Sequence, residues 1–295
     1  MKALAQYVIQ SRKQALFWCI LFALVPLLGW IASALMAFVT LRKGAYEGLL
    51  LLASITVADI AYAQFFLGGL EARFVILDLL ANNLPTFLAA LYLRKAASWN
   101  TLIEGLTYIT LLLILAIHLA FPDISQWWVQ QLTGLSDKIT DIAHTRMTPK
   151  LIQQAAYYAT GLQAMLALGS ILFNLVIARY LQASLFNPGG LKRELYFLHM
   201  PKRLGYLMMA VALPALLSFN LAKDLLPVTL IPFICTGISL FYDFASKRAH
   251  GWAWLISFYA LLLLAFPSVC LILVIVGLLD TFVNLRPYLK TTKRH

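Results

Sequence analysis

Four polar side chains interrupt two consecutive apolar stretches in the first third of the chain. Asp59 lies midway through an apolar run at 48–67, and Asp78, Asn82 and Asn83 lie in the next run. Because Asp78 and Asn82 are four residues apart, a helix would place them on one face. A carboxylate at membrane depth is costly unless it is paired or lines a wet cavity. These four residues are therefore the predicted ligand-binding site, with interhelical hydrogen bonding as the alternative interpretation.

The segments around these residues predict how they come together. The Gly68-Gly69 pair joins the runs at 48–67 and 72–93, so we expect a short turn between two antiparallel helices. Pro85 follows the asparagines and frees backbone carbonyls near their side chains, which favours a polar pocket inside a helical bundle. The sequence thus predicts a contact for a substrate or a cation between these two helices.

The overall composition excludes a soluble protein. Of the 295 residues, 62% are hydrophobic and only 12% are charged, and the mean hydropathy is +0.82. Soluble domains carry about 25% charged and about 45–50% apolar residues. So much apolar surface cannot be buried in one soluble core, which excludes a disordered chain, a disulfide-stapled secreted domain and a soluble nucleic-acid binder. The three cysteines lie in apolar runs, as expected for small buried hydrophobic residues.

The predicted fold class is all-α: a polytopic transmembrane helical bundle that forms a single membrane domain over 1–295. About 20 apolar residues are needed for one crossing. Two longer runs, 14–41 and 252–280, each carry a proline near the middle, which predicts two proline-broken re-entrant or hairpin elements. Eight plain crossings are the alternative. Six other runs have the length for one full crossing each: 48–67, 72–93, 99–121, 151–180, 204–221 and 225–245.

The distribution of basic residues favours the arrangement with two returning elements. Lys and Arg collect in short cytoplasmic loops of membrane proteins. If both proline-broken runs return to the face that they entered, one face holds 18 of the 23 basic residues. If the run at 14–41 crosses once instead, Arg42-Lys43 lies opposite Arg12-Lys13. We therefore expect the N- and C-termini to be cytoplasmic, and we interpret the net charge of +11 as topological.

One sizeable polar stretch, 122–150, lies outside the predicted crossings. A pair of adjacent tryptophans near its start is typical of the headgroup level, so we expect an external amphipathic segment along the outer surface. Asp137, Asp141 and His144 have a spacing that fits a weak external metal site. A solvated helix face is the interpretation that we favour for them, and no metal is expected.

The remaining polar residues give no enzyme signature. Glu104 and His118 are fourteen residues apart, about 21 Å by helix rise, so they cannot form one site, and we expect each at a helix interface. Asn174 and Asn220 are interpreted as packing residues. The chain lacks a phosphate-binding GxxxxGK[ST] loop, an HExxH pair and a GxSxG elbow. We expect neither an enzyme nor a cofactor.

A cytoplasmic basic elbow is predicted at 182–203. A sharp turn ends one long helix here, because proline fixes φ and glycine permits left-handed backbone. A short amphipathic helix follows the turn. Two interpretations remain open: a loop anchored to anionic lipid, or a docking surface for a cytoplasmic partner. The turn is Asn187-Pro188-Gly189-Gly190, and the basic residues around the short helix are Lys192, Arg193, Lys202 and Arg203.

The stretch that leads into this turn resembles the YybS-like family of bacterial integral membrane proteins. The resemblance rests on an arginine, an aromatic residue and a glutamine that run into Asn-Pro-Gly-Gly. It extends over nearly the whole chain through Leu41-Arg42-Lys43-Gly44, Glu47-Gly48-Leu49-Leu50 and Gly277-Leu278-Leu279-Asp280. The positions that match the family signature are Arg179, Gln182, Asn187, Pro188, Gly189 and Gly190.

The family is more remotely similar to the substrate-binding components of energy-coupling-factor vitamin transporters. That resemblance implies a bundle of about six helices in the bacterial cytoplasmic (inner) membrane, a ligand pocket towards the outer side and a separate ATPase module as partner. One hypothesis is therefore a membrane component that binds or transports a small molecule. The other is a non-transporting scaffold or assembly factor that docks a cytoplasmic protein through the 179–203 loop.

Overall fold

The computed structural model of the chain describes residues 2–25, 27–66, 72–96, 98–143, 148–248 and 250–289. The all-α prediction is confirmed, because 89% of this part is helical and it contains no strand. A π-helical turn, Leu79–Asn83, and a 3₁₀ turn, Arg286–Leu289, accompany the α-helices. In chain order these are α1 (Lys2–Gln10), α2 (Arg12–Leu24), α3 (Gly29–Lys43), α4 (Ala45–Phe66), α5 (Ala72–Asp78), α6 (Leu84–Ala96), α7 (Trp99–Ala120), α8 (Ile124–Ala143), α9 (Pro149–Ala156), α10 (Ala159–Phe186), α11 (Gly190–Tyr196), α12 (Lys202–Leu216), α13 (Asn220–Ser246), α14 (Gly251–Leu264) and α15 (Phe266–Val283).

Six of the described helices are long and apolar enough to cross a membrane. Within each, only 28–50% of the most apolar stretch is buried by the rest of the protein, which leaves a broad apolar surface for lipid. Five of them coincide with crossings predicted from the sequence, and the sixth is α15. The spans are Ala45–Phe65, Val75–Ala96, Trp99–Ala120, Ala159–Phe186, Asn220–Ser246 and Phe266–Val283.

The helix in the crossing predicted at 204–221 is shorter than its apolar run. This helix, α12, has 15 residues and ends at Leu216, and Pro214 lies in its last turn. The backbone turns at Ser218, which has a φ of 72°. Fifteen residues rise about 22 Å, so α12 alone does not fill the roughly 30 Å of bilayer hydrocarbon. A proline and the left-handed residue after it thus end the helix before the apolar run ends.

The run at 14–41 forms a helical hairpin, as its central proline predicts. Helix α2 ends at Leu24 and α3 begins at Gly29, with Leu27 at a φ of 67° between them. The thiol of Cys19 lies 3.9 Å from the carbonyl oxygen of Ala32, so the two helices pack side by side in opposite directions. Pro26 itself lies outside the described residues.

The run at 252–280 is also broken beside its proline, between α14 and α15 at Ala265. Helix α14 runs antiparallel to the last part of α13, because Phe258 stacks on Phe241 and the Trp254 ring meets Phe244 edge-on. After α15, the Arg286 guanidinium donates to Ser239 Oγ of α13 at 3.1 Å. Both ends of the run therefore lie beside the same half of α13, as a returning element requires.

The chain divides into two compact units. The first contains Met1–Leu102 and Ala167–Phe197, and its core is α3, in which every residue from Ala32 to Leu41 is buried against α2, α4 and α6. The approach of α3 and α4 depends on Gly48. A Cβ at this position would lie 2.1 Å from Thr40 Oγ1 and 2.7 Å from the Phe87 ring.

The second unit contains Ile103–Leu166 and Leu198–His295, with α13 at its centre. Helices α12 and α15 pack against α13, and Gly277 lets the backbones of α13 and α15 meet, since a Cβ there would lie 2.1 Å from the Phe233 carbonyl oxygen. The predicted external segment at 122–150 forms α8 and the start of α9 in this unit. Trp128 Nε1 donates to Thr160 Oγ1 at 2.9 Å and fixes α8 to α10.

Candidate ligand-binding cavity

A cavity of about 190 Å³ lies within the first unit. The structure brings all four predicted site residues, Asp59, Asp78, Asn82 and Asn83, into the wall of this cavity. They come from α4, the end of α5 and the π-helical turn. Helices α3 and α10 complete the wall, with Trp30, Ser33, Ser170 and Asn174 among their contributions.

The π-helical turn explains how two adjacent asparagines reach one carboxylate. The Leu84 N–H donates to the Leu79 carbonyl five residues back, so the turn is wider than an α-helical turn. Asn82 Nδ2 donates to Asp78 Oδ1 at 2.8 Å, and Asn83 Nδ2 donates to Asp78 Oδ2 at 2.7 Å. The four-residue spacing predicts the first contact, whereas the second exists because of the extra residue in the turn. The Gly68-Gly69 turn lies outside the described residues.

Asn83 links this polar turn to α3. The hydroxyl of Ser33 donates to Asn83 Oδ1 at 2.5 Å, and Asn83 is only 3% exposed. Both functional groups of the Asn83 amide are thus used within the protein. This residue makes the interhelical hydrogen bond that the sequence analysis gave as the alternative to ligand binding.

Asn82 and Asn174 differ from Asn83 because each lines the cavity and keeps an unused acceptor. The Oδ1 atoms of both residues are buried and have no hydrogen-bond partner among the described residues. Asn174 is 1% exposed, so it has no access to bulk solvent. The sequence analysis assigned Asn174 to packing, since a single asparagine in α10 gives no signal that it faces residues about ninety positions earlier.

The charge in the cavity wall is entirely negative among the described residues. Asp59 and Asp78 contribute carboxylates, and no Lys, Arg or His of the described chain lines the cavity. An uncompensated pair of carboxylates in a partly enclosed space favours a bound cation. The arrangement therefore suits the binding of a cation.

The buried acids of the second unit are arranged differently, because each lies beside a base. Glu104 and His118 take separate partners, as their spacing predicts. Asp224, Asp243 and Asp280 complete the set of buried acids, and none of these three is a predicted site residue. The only sequence signal for these three is an acid within an apolar run. The pairs are Glu104 with Arg203, Asp224 with His118 at 3.4 Å, Asp280 with His199 at 3.0 Å, and Asp243 with Lys247 at 2.7 Å.

The Glu104–Arg203 pair changes the interpretation of the basic elbow. Arg203 donates through Nη2 to Glu104 Oε2 at 2.6 Å and through Nε to the other carboxylate oxygen. The hydrogen bond to Glu104 and its negative charge raise the pKa of Arg203 above its ordinary value. The Arg203 side chain is largely exposed, but its guanidinium group pairs with Glu104 inside the protein. Arg203 therefore does not contribute an unpaired charge to the basic elbow.

The turn predicted at 187–190 is present and is held by an ion pair. Helix α10 ends at Phe186, Gly189 adopts a φ of 81°, and α11 begins at Gly190. Arg179 contacts both carboxylate oxygens of Glu194, with Nη2 at 2.5 Å from Oε1 and Nε at 3.0 Å from Oε2. Gln182 Oε1 accepts from Arg179 Nη1 at 2.6 Å, and Trp99 Nε1 donates to Glu194 Oε2 at 3.0 Å.

The residues predicted to form the family signature and the docking surface therefore fall into two groups. Arg179 and Gln182 are half-buried and hold the turn from inside, whereas Lys192 and Arg193 are exposed on α11. Asn187, Pro188 and Gly189 are exposed at the turn, and Gly190 is buried. A docking surface at this elbow would be formed by the exposed group alone.

Neither a metal site nor a match to known proteins adds to this description. Among the described residues, no three His, Cys, Asp or Glu side chains come together as metal ligands. His144 and the Asp141 side chain, from the spacing discussed above, lie outside the described residues. Comparison of the chain with protein-family models, curated proteins and solved structures finds no match.

Proposed function

We propose that this multi-pass membrane protein binds a small molecule in the cavity of its first unit, as the substrate-binding subunit of a transporter does. The observation that carries the proposal is the convergence of Asp59, Asp78, Asn82 and Asn174 on one cavity. Buried polar groups are costly unless they are paired. The buried amide oxygens of Asn82 and Asn174, which have no partner among the described residues, retain that cost, which a ligand can relieve.

The distribution of charge along the helices supports a pocket that opens towards the outer face. Within the first unit, α3 ends in Arg42-Lys43 and α6 ends in Arg94-Lys95, and the Arg94 guanidinium lies 3.4 Å from the Thr40 carbonyl. The cavity residues lie near the opposite ends of these two helical segments. If the basic ends are cytoplasmic, the cavity lies in the outer half of the membrane. The proposed location is the bacterial inner membrane, with both termini in the cytoplasm.

The exposed face of α11 gives a specific reason to consider a cytoplasmic partner. Lys192 and Arg193 project from a short helix whose orientation is fixed by the Arg179–Glu194 pair. A rigid basic surface next to a membrane suits an acidic protein partner, such as an ATPase module that drives transport. The second candidate function is a non-transporting scaffold or assembly factor that holds such a partner without binding a small molecule.

Native mass spectrometry of the full chain, released gently from purified nanodiscs, tests the first function against the second. We expect a retained small molecule in the wild-type spectrum and its loss in the Asp78→Asn/Asn82→Ala double variant. The Lys192→Gln/Arg193→Gln variant is the matched control and should keep the small molecule. A spectrum with a protein partner, no small molecule and sensitivity only to the α11 substitutions would overturn the ligand-binding proposal in favour of the scaffold.

The proposed topology has its own test. A cysteine introduced beside Arg42 and another in the tail after Leu289 should both react with a membrane-impermeant maleimide only when it reaches the cytoplasmic face. Labelling of the two positions from opposite faces would exclude the returning arrangement of the two proline-broken runs.

A further inference from the structure

The ligand class can be inferred from the cavity wall, on the assumption that the proposed function is right. We infer that the cavity binds a small primary ammonium group, a cation that carries several N–H donors. Three independent features of the wall point to this chemistry: its charge, its unsatisfied hydrogen-bond acceptors and its tryptophan, Trp30.

Charge is the first feature. The Asp59 and Asp78 carboxylates both line a cavity to which the described chain contributes no basic side chain. Every buried acid that we describe in the second unit has a base within 4.0 Å. In the cavity, Asp59 is half-buried and Asp78 is exposed, and neither faces a base in the described wall, so a cationic ligand can reach both carboxylates.

The unsatisfied acceptors show that this cation is a hydrogen-bond donor. Asn174 and Asn82 both line the cavity, and the Oδ1 atom of each is buried without a hydrogen-bond partner among the described residues. An amide oxygen needs an N–H or O–H group, and an ammonium group supplies three N–H donors. The two oxygens of Asp78 already accept from Asn82 and Asn83, and Asn83 Oδ1 accepts from Ser33.

Size and aromatic lining narrow the ligand further. A cavity of about 190 Å³ has room for roughly six waters at about 30 Å³ each, which exceeds the volume of a dehydrated metal ion and is too small for a drug-sized molecule. Trp30 also lines the cavity, and an indole ring favours a cation over its face. An ammonium group on a short carbon chain fits these limits. It belongs either to a free amine or to the headgroup of an aminophospholipid.

The test uses matched two-carbon probes and the full chain in phosphatidylcholine nanodiscs. Thermal unfolding is recorded with ethanolamine, choline, ethylene glycol, glycolate or sodium chloride at equal ionic strength. We expect ethanolamine alone to raise the unfolding temperature in a saturable way, since choline lacks N–H donors and the others lack the ammonium group. Nanodiscs that contain phosphatidylethanolamine distinguish the two sources: stabilisation without added ethanolamine identifies the lipid headgroup, and its absence identifies a free amine.

Substitutions in the cavity wall test whether the stabilisation by ethanolamine arises from binding in the cavity. Asp78→Asn and Asn174→Leu should each weaken the apparent affinity for ethanolamine about 10- to 100-fold, the range for loss of a charge-assisted hydrogen bond. Asp123→Asn, at an exposed carboxylate outside the cavity, should leave the affinity unchanged. If Asn174→Leu fails to fold, Asp59→Asn replaces it, because this nearly isosteric change removes only the charge.

The outcomes separate failure of this inference from failure of the proposed function. Equal stabilisation by choline or sodium overturns the N–H donor assignment. Stabilisation by ethylene glycol or glycolate that Asn82→Ala abolishes overturns the ammonium class and leaves a small-molecule site in place. No response to any of the five compounds overturns the inference, and if native mass spectrometry also finds no retained small molecule, the proposed function fails with it.

Discussion

Buried acids in the second unit and acids in the cavity of the first unit sit in contrasting surroundings. Glu104, Asp224, Asp243 and Asp280 each lie beside a basic side chain, whereas Asp59 and Asp78 share a cavity that no described base lines. Both sets occur in apolar helices, but Asp59 is half-buried and Asp78 is exposed. The presence of an acid at membrane depth therefore does not by itself indicate a binding site, and the proposed function depends on the missing counter-charge and on access to the cavity.

The contrast has a physical basis in the cost of burying charge. Removing one partner of a buried ion pair leaves an isolated charge, so such a pair is needed for the fold even where it adds little stability overall. A carboxylate that the protein leaves uncompensated lowers stability and persists where function uses it. The paired acids should accordingly respond to mutation through stability, and the cavity acids through binding.

The largest effect is expected when Glu104 loses its base. Arg203→Met should lower the free energy of unfolding more than any of the substitutions described below, because Glu104 is 5% exposed and would be left without its ion-pair partner. Unfolding in mixed micelles by titration with SDS measures this change. The Glu104→Gln/Arg203→Met double variant should recover part of the loss, and Arg193→Met, at an exposed arginine of α11, should have little effect. A loss no larger than that of Arg193→Met would contradict the structural role of the pair.

A somewhat smaller effect is expected from the helices that support the cavity. Gly48→Ala should cost about 2 kcal/mol, since the new Cβ would overlap Thr40 and Phe87 and force α3 and α4 apart. Gly105→Ala is the matched control, because a Cβ there meets nothing within 4 Å, and it should be neutral or stabilising by up to about 1 kcal/mol. The same unfolding titration gives both values. Equal responses of the two variants would show that the close approach of α3 and α4 is unimportant.

The elbow at 182–203 tests, inside the first unit, whether an acid with a basic partner contributes to stability. Glu194→Gln should cost about 1 kcal/mol and increase proteolytic cleavage at the 187–190 turn, because Arg179 loses its half-buried counter-charge. The control is Glu47→Gln, which removes a pair with the more exposed Arg12 and should change the stability by a few tenths of a kcal/mol. If Glu194→Gln leaves both stability and cleavage unchanged, Glu194 is free to serve another purpose, such as contact with a partner.

The smallest effect on stability is expected in the cavity itself. Asp59→Asn should leave the free energy of unfolding unchanged or raise it by less than about 1 kcal/mol, because it removes an uncompensated charge and preserves side-chain volume. The same variant should nevertheless lose the retained small molecule in native mass spectra. A loss of stability comparable to that of Arg203→Met would place Asp59 among the structural acids and remove the contrast between the two regions.

Local patterns in the sequence predict much of this architecture. Length and hydropathy predict the all-α bundle, and the prolines near the middle of 14–41 and 252–280 predict the two interrupted elements. The spacing of Asp78 and Asn82 predicts their shared helix face. These features depend on residues that are close in the chain, where helix geometry and backbone restrictions act directly.

Contacts between residues that are far apart in the chain could not be predicted from such local patterns. Asp280 meets His199 and Glu104 meets Arg203 across about eighty and about one hundred residues, and no periodicity encodes such pairings. Asn174 reaches the cavity from a helix far along the chain. The end of α12 at Leu216 depends on the combined effect of Pro214 and the left-handed Ser218, which hydropathy does not register.

The π-helical turn at Leu79–Asn83 has a geometric consequence for the whole helix that contains it. In a regular α-helix, residues five positions apart lie about 140° apart around the axis. The π-helical turn takes up one extra residue locally, so Asn83 reaches back to Asp78, and Phe87 and Ala90, which follow Asn83 by four and seven residues, are buried beyond the turn. Without the wider turn, Asn83 and the apolar residues that follow it would be rotated away from Asp78 and would face other neighbours.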